Sequence, residues 1–152
     1  MKLFIKSLSA ITALTCALGT VQAQELTLDD VIKAGIDYMV TEYALDQVQY
    51  TACGLTLAKK TTPANFEKTK REFISVFDEE TRKKLDRFFH GDEMKGLKDA
   101  VSYQGIMGPI QKAKSQGKNM DVFCDRELDK LISINAQTKR NWLTIKGKLQ
   151  GG

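Results

Sequence analysis

NMDVFCDRELDKLISINAQTKRNWLTIKGKL, residues 119–149, decides the fold. Met120, Cys124, Leu128, Leu131, Asn135, Thr138, Trp142, Ile145 and Leu149 recur at spacings of three and four. That spacing lines one side of an α-helix starting near Asn119. Cys124 lies on the stripe and therefore points inward. Asn135 and Thr138 interrupt the stripe. They either line a polar pocket or hydrogen-bond across a helix crossing, and the crossing is the expected use, because buried polar groups are found paired.

The cysteine on this helix constrains the rest of the chain. Of three cysteines, Cys16 falls in MKLFIKSLSAITALTCALGTVQA, residues 1–23. Two lysines, Lys2 and Lys6, precede a run of apolar and small residues that closes in Val21-Gln22-Ala23. This reads as a secretory signal peptide cleaved after Ala23, too short in its apolar run to span a bilayer. Lipidation at Cys16 is the alternative; Leu14-Thr15 before it departs from the small residue such signals place there. Residues 24–152 then form a single domain, predicted to be periplasmic or secreted. Cys53 and Cys124 remain, an even pair in an oxidising compartment, and a disulfide between them is predicted. Closing a loop of about 70 residues would stabilise the fold by roughly 4 kcal/mol in the chain-entropy model.

Hydrophobic residues make up 42% and charged residues 28% of the chain, so a core is available and disorder is disfavoured. The net charge of +4 falls by two with loss of Lys2 and Lys6, and acids are interspersed with the bases. That balance gives no argument for nucleic acid.

The remaining segments also read as helix. Thr27 is a natural N-cap with Asp30 at the third helical position. Ile32, Ile36, Met39, Tyr43, Tyr50, Cys53 and Leu57 then share one face, widened by Val31, Tyr38, Leu45, Val48, Ala52 and Leu55. This predicts one central helix over about 28–60. Thr62 and Pro63 are expected to start the next segment. Phe66, Phe73, Phe77, Leu85 and Phe88 follow, in one kinked helix or two short ones between 63 and 90. Gly91 is expected as a left-handed C-cap. A short helix follows over 92–104, carried by Met94, Leu97 and Val101. YQGIMGPIQKAKSQGKN, residues 103–119, reads as a loop with one helical turn after Pro109. No segment alternates as a strand does. The predicted fold is all-α, a bundle of four or five helices with one disulfide.

The sequence holds no GxSxG, HExxH or CxxCH. His90, with Asp92 and Glu93 beside it, offers metal ligands, but a solvated helix end is the expected role. Met39 has no histidine on the last helix to oppose it across a haem. No cofactor and no metal are expected. Glu42, Glu67, Glu72 and Asp78 are the carboxylates a hydrolase would draw on, without a spacing that selects any pair. The candidate partner-binding surface is Tyr103, Ile106, Met107 and Ile110, apolar residues in a glycine-broken segment. Its alternative is a cover over one end of the bundle.

A leader peptide, a helix-borne CGL at residues 53–55 and FCDREL opening the last helix resemble the plan of small periplasmic all-helical proteins with one disulfide. Type II secretion pilotins and immunity proteins against type VI secretion amidases are such families. The resemblance is one of architecture and carries no site residue. It implies a non-enzymatic exported protein that binds an envelope protein, as inhibitor, immunity factor or secretion accessory. A small-ligand or lipid carrier and a hydrolase are the alternatives.

Overall fold

Thr27 caps the first helix as its sequence implies. Its hydroxyl accepts from the Asp30 amide at 3.2 Å, and the Thr27 amide donates to Asp30 Oδ2 at 3.1 Å. The Thr27 hydroxyl bonded to Asp30 holds that carboxyl below its ordinary pKa. The structure, a computed structural model, describes residues 27–150; the predicted leader, with Cys16 and the site after Ala23, lies outside the described residues. Helix α1 (Leu28–Val48) is followed by α2 (Gly54–Lys60), α3 (Phe66–Ile74) and α4 (Glu79–His90). Then come α5 (Asp92–Asp99), a π-helical segment (Ala100–Met107), α6 (Gly108–Ser115) and α7 (Met120–Gln150). The α5, π and α6 segments run on without a break, so the described residues form six helical rods and no strand. The all-α class is as expected; the count exceeds the four or five predicted.

The extra rod comes from the predicted helix 28–60, which breaks after Val48. Thr51 is the cause. Its hydroxyl donates to Val48 O at 2.7 Å and accepts from the Cys53 amide at 3.2 Å. A threonine side chain has here taken over backbone partners that a continuous helix would use. Gly54 then passes so close to the Gln49 carbonyl that a Cβ would collide with it. The break re-phases the chain. Cys53 and Leu57 stay buried, while Tyr50, Ala52 and Leu55, expected on the inward face, turn outward.

Three further expectations are corrected. The segment 63–90 is two helices, one of the two forms expected, but the first is capped by Asn65, not by Thr62 and Pro63. Asn65 Oδ1 accepts from the Lys68 amide at 2.9 Å. Gly91 is extended, at φ −85° and ψ 170°, and serves as the shared corner between α4 and α5 instead of a left-handed cap. Phe89, and not Phe88, is the buried member of its pair.

The loop predicted over 103–119 is mostly helix, and its spacing explains the form it takes. Inward residues on this rod are Met94, Leu97, Val101, Ile106, Ile110 and Ala113. An α-helix would carry the face from Val101 to Gln104, Gly105 and Gly108. The five-residue step to Ile106 needs a wider turn, and a π-helical turn supplies it. The Gly108 amide accordingly reaches back five residues to Tyr103 O.

Helices α1 and α7 lie antiparallel and form the most extensive helix pair in the fold. They contribute to two cores, one toward each end of the pair. One gathers Val31, Tyr38, Met39, Phe66, Phe73, Phe77, Leu85, Phe89, Met94 and Trp142. Phe73 is its centre, edge-on to Phe77 and Trp142 at 5.1 Å and to Phe89 at 6.1 Å. The other gathers Ala44, Leu45, Val48, Leu57, Ile106, Ile110 and Leu128 around Cys53 and Cys124. These cysteines are paired as a disulfide with Cα atoms 5.3 Å apart, inside the range a bridge requires.

Gly35 admits Phe73 to this arrangement, because a Cβ there would fall inside the Phe73 ring. On an exposed helix Gly→Ala gains about 1 kcal/mol. Here overpacking, typically about 1–3 kcal/mol, opposes it. Gly35→Ala is therefore expected to lower the urea midpoint without changing the slope. A raised midpoint would place Phe73 elsewhere.

Candidate functional site

Where α1, α3 and α7 meet, the two residues that interrupt the α7 stripe find partners. Asn135 Nδ2 donates to Thr41 Oγ1 and to Glu42 Oε1, both at 3.0 Å. The Thr41 and Thr138 hydroxyls stand 3.0 Å apart, and Thr41 also donates to Tyr38 O at 2.8 Å. Thr69 on α3 donates to Glu42 Oε2 at 3.4 Å. The crossing is thus a side-chain hydrogen-bond network, the use expected of Asn135 and Thr138. Burial, then the Glu42 charge, pushes the Tyr38 hydroxyl up to about 12. Tyr38 itself is buried in the aromatic core.

The other carboxylates named for a hydrolase serve local structure. Asp78 caps α4, accepting from the Thr81 amide at 2.8 Å, and that bond lowers its pKa. Glu67 pairs with Lys70 at 2.6 Å, with its carboxyl lowered by the same lysine. Glu72 faces Lys68 one turn away. His90 is exposed, its Nδ1 2.8 Å from Asp86 O, so it is tied to its own helix and not to Asp92 or Glu93. Among the described residues no three His, Cys, Asp or Glu side chains gather as metal ligands. No described helix is long and apolar enough to cross a membrane.

Two surface grooves accompany these features. One, of about 380 Å³, runs between α1 and α7 past Asp30, Asp37, Thr138 and Asn141. The other, of about 540 Å³, lies on α4 past Arg82, Lys83 and Arg87. Both are open to solvent.

The predicted surface of Tyr103, Ile106, Met107 and Ile110 is divided by the π-helical turn. Ile106 and Ile110 are buried in the disulfide-end core, so these two are corrected from surface to packing, and Met107 is half-buried. Tyr103 alone projects, at 69% exposure. Ser102 beside it bonds the Tyr43 hydroxyl at 3.0 Å and pins the turn to α1. The signal for this division is the five-residue step from Val101 to Ile106.

Other large apolar side chains are exposed on segments that feed the disulfide-end core. Leu55 is 82% exposed, Tyr50 77% and Val122 67%, whereas Leu28, Ile134, Leu143 and Leu149 lie between 43% and 52%. The four most exposed all stand on segments that build the disulfide-end core: the α1–α2 turn, the start of α2, the π turn and the start of α7. Lys60 locks two of these segments together, reaching Asp125 at 2.7 Å and Asp129 at 2.5 Å across the bridge. Hydrogen bonds to Asp125 and then Asp129 hold its ammonium above the usual lysine range.

No family model matches the chain, and comparison with characterised proteins and with solved structures gives no significant match. The functional reading therefore rests on these residues.

The polar crossing yields a test of its own geometry. Asn135→Asp keeps the shape and sets a second carboxylate against Glu42. Like charges at hydrogen-bond distance raise the folded-state pKa of the pair. The variant should lose stability on the order of 1–3 kcal/mol at pH 7. The deficit should fade as pH drops toward about 4, the unfolded carboxylate range. A pH-independent deficit would contradict the contact.

Proposed function

We propose that this chain is an exported protein without chemistry of its own that binds another envelope protein, as inhibitor, immunity factor or secretion accessory. The observation that carries the reading is the exposure of Tyr50, Leu55, Tyr103 and Val122 at one end of the bundle. Exposed apolar side chains scattered singly are ordinary, but a concentration at one end is what a partner surface requires. Tyrosine is an economical anchor, with a large amphipathic area and few rotamers to immobilise.

The scaffold supports the reading. The four side chains sit on segments fixed by the disulfide, by Lys60 and by a shared core, so their positions are set before binding. Preorganisation lowers the ordering cost of association. The open grooves and the structural use of Glu67, Glu72 and Asp78 supply no comparable support for the carrier or hydrolase alternatives.

The test is affinity capture from periplasmic extract, with in-cell cross-linking to identify the bound protein. The paired substitutions Leu55→Ser and Tyr103→Ser should abolish capture of that protein. Thermal stability should change little, because surface substitutions away from packing features usually shift stability by about 0.5 kcal/mol or less. Undiminished capture by the paired variant would overturn the reading.

A further inference from the structure

We infer that Lys60 is the positioning residue for closure of the Cys53–Cys124 bridge: before the bond forms, its ion pairs draw α2 onto α7 and bring the two thiols together. The inference does not depend on any partner. Helix α2 has seven residues, too few to persist alone in water. The turn at Thr51 separates it from α1, and α7 is the helix it meets most extensively.

The two anchors of α2 stand at its opposite ends. Cys53 precedes its first residue and is joined to Cys124. Lys60 is its last residue and reaches Asp125 at 2.7 Å and Asp129 at 2.5 Å. Between the anchors Leu57 is buried. One acceptor is the residue after Cys124, and the other lies one turn further along α7. The far end of α2 is therefore fixed to the same turns of α7 that carry Cys124, by contacts that need no bridge. The Lys60 side chain is 21% exposed, so its ammonium is carried on a largely covered stem. From the α1 side, the Thr51 hydroxyl accepts from the Cys53 amide at 3.2 Å. An α2 free of α7 would let Cys53 range over many positions, and closing the bridge would then cost that freedom.

Closure is a thiol–disulfide exchange with a disulfide such as oxidised glutathione. One cysteine thiolate displaces a thiolate from the oxidant and forms a mixed disulfide. The other cysteine thiolate then displaces the second. Two thiol protons are lost, two electrons pass to the oxidant, and one bond joins Cys53 to Cys124. In the bridged form Cys53 is 4% and Cys124 1% exposed. The oxidant therefore enters with α2 lifted, and the second step follows the return of α2 to α7, which Lys60 favours.

The test equilibrates the full chain in buffers of reduced and oxidised glutathione, traps the thiols by acid and alkylation, and counts them by mass spectrometry. The readout is the effective concentration of one thiol toward the other. Lys60→Met keeps the stem and removes the ammonium. It should lower the effective concentration about fivefold, the scale of two partly exposed ion pairs. Asp125→Asn combined with Asp129→Asn should lower it alike, whereas Lys60→Arg should preserve it. Lys59→Met, at the exposed neighbour, should leave it unchanged. Both carboxylates are exposed, so added salt should bring the unaltered protein toward the Lys60→Met value. In concentrated urea all variants should agree, which assigns the loss to the folded chain. An unchanged value in Lys60→Met, an equal loss in Lys59→Met, or a loss that salt does not reproduce would each overturn the inference and leave the Thr51 turn as what places Cys53. Should reduced Lys60→Met lose its helical circular dichroism, the paired aspartate variant and the salt series decide the question.

Discussion

Helices α1 and α7 run antiparallel in one continuous register, and the other elements are placed by that contact. Near the start of α1, Ala34 and Ile145 line the same groove. At its middle, Thr41 and Glu42 bond Asn135 and Thr138. Beyond its end, Cys53 is joined to Cys124. Helix α7 has 31 residues, so it spans about 46 Å and backs both α1 and α2. Each core fills one end of this pair, the aromatic core closed by α3, α4 and α5 and the disulfide core by α2, the π turn and α6. The polar crossing lies between them. Apolar contacts alone would tolerate sliding by a helical turn, but a crossing with fixed donors and acceptors does not, because a slip strands buried polar atoms.

The same contact explains where the exposed apolar side chains collect. The α1–α2 turn, the π turn and the start of α7 are drawn to one end because Cys53, Ile106 and Cys124 belong to one core. Each segment spends its inward positions on that core and leaves one large side chain outside. In the proposed function those outward side chains are the anchors, and the core beneath them is what keeps them in place.

Much of this was legible in the sequence. The long α7 stripe, the inward cysteines, the Thr27 cap and the hydrogen-bonded use of Asn135 and Thr138 follow from spacing and residue chemistry. The misread places share a physical cause. Periodicity assumes that helical phase is kept, and at two points the chain changes it. Thr51 interrupts the ladder between α1 and α2 and turns Tyr50 and Leu55 outward, a local side-chain effect that apolar spacing does not reveal. Between Val101 and Ile106 the phase shifts by a π turn, and the glycines at 105 and 108, read as loop punctuation, lie within a continuous rod. That shift removed Ile106 and Ile110 from the predicted surface and left Tyr103 there. Leu55 in particular was not legible as exposed, because an unbroken helix places it on the inward face and only the break at Thr51 turns it outward.

The account depends most directly on that disulfide, since an α1–α7 pair in another register would not bring residues 53 and 124 together. Peptide mapping by mass spectrometry under non-reducing conditions, on protein recovered from an oxidising compartment, reads it without assumption. The account predicts one intramolecular cross-linked species containing Cys53 and Cys124. Recovery of both as free thiols, or of bridges between separate chains, would contradict the register and the architecture built on it.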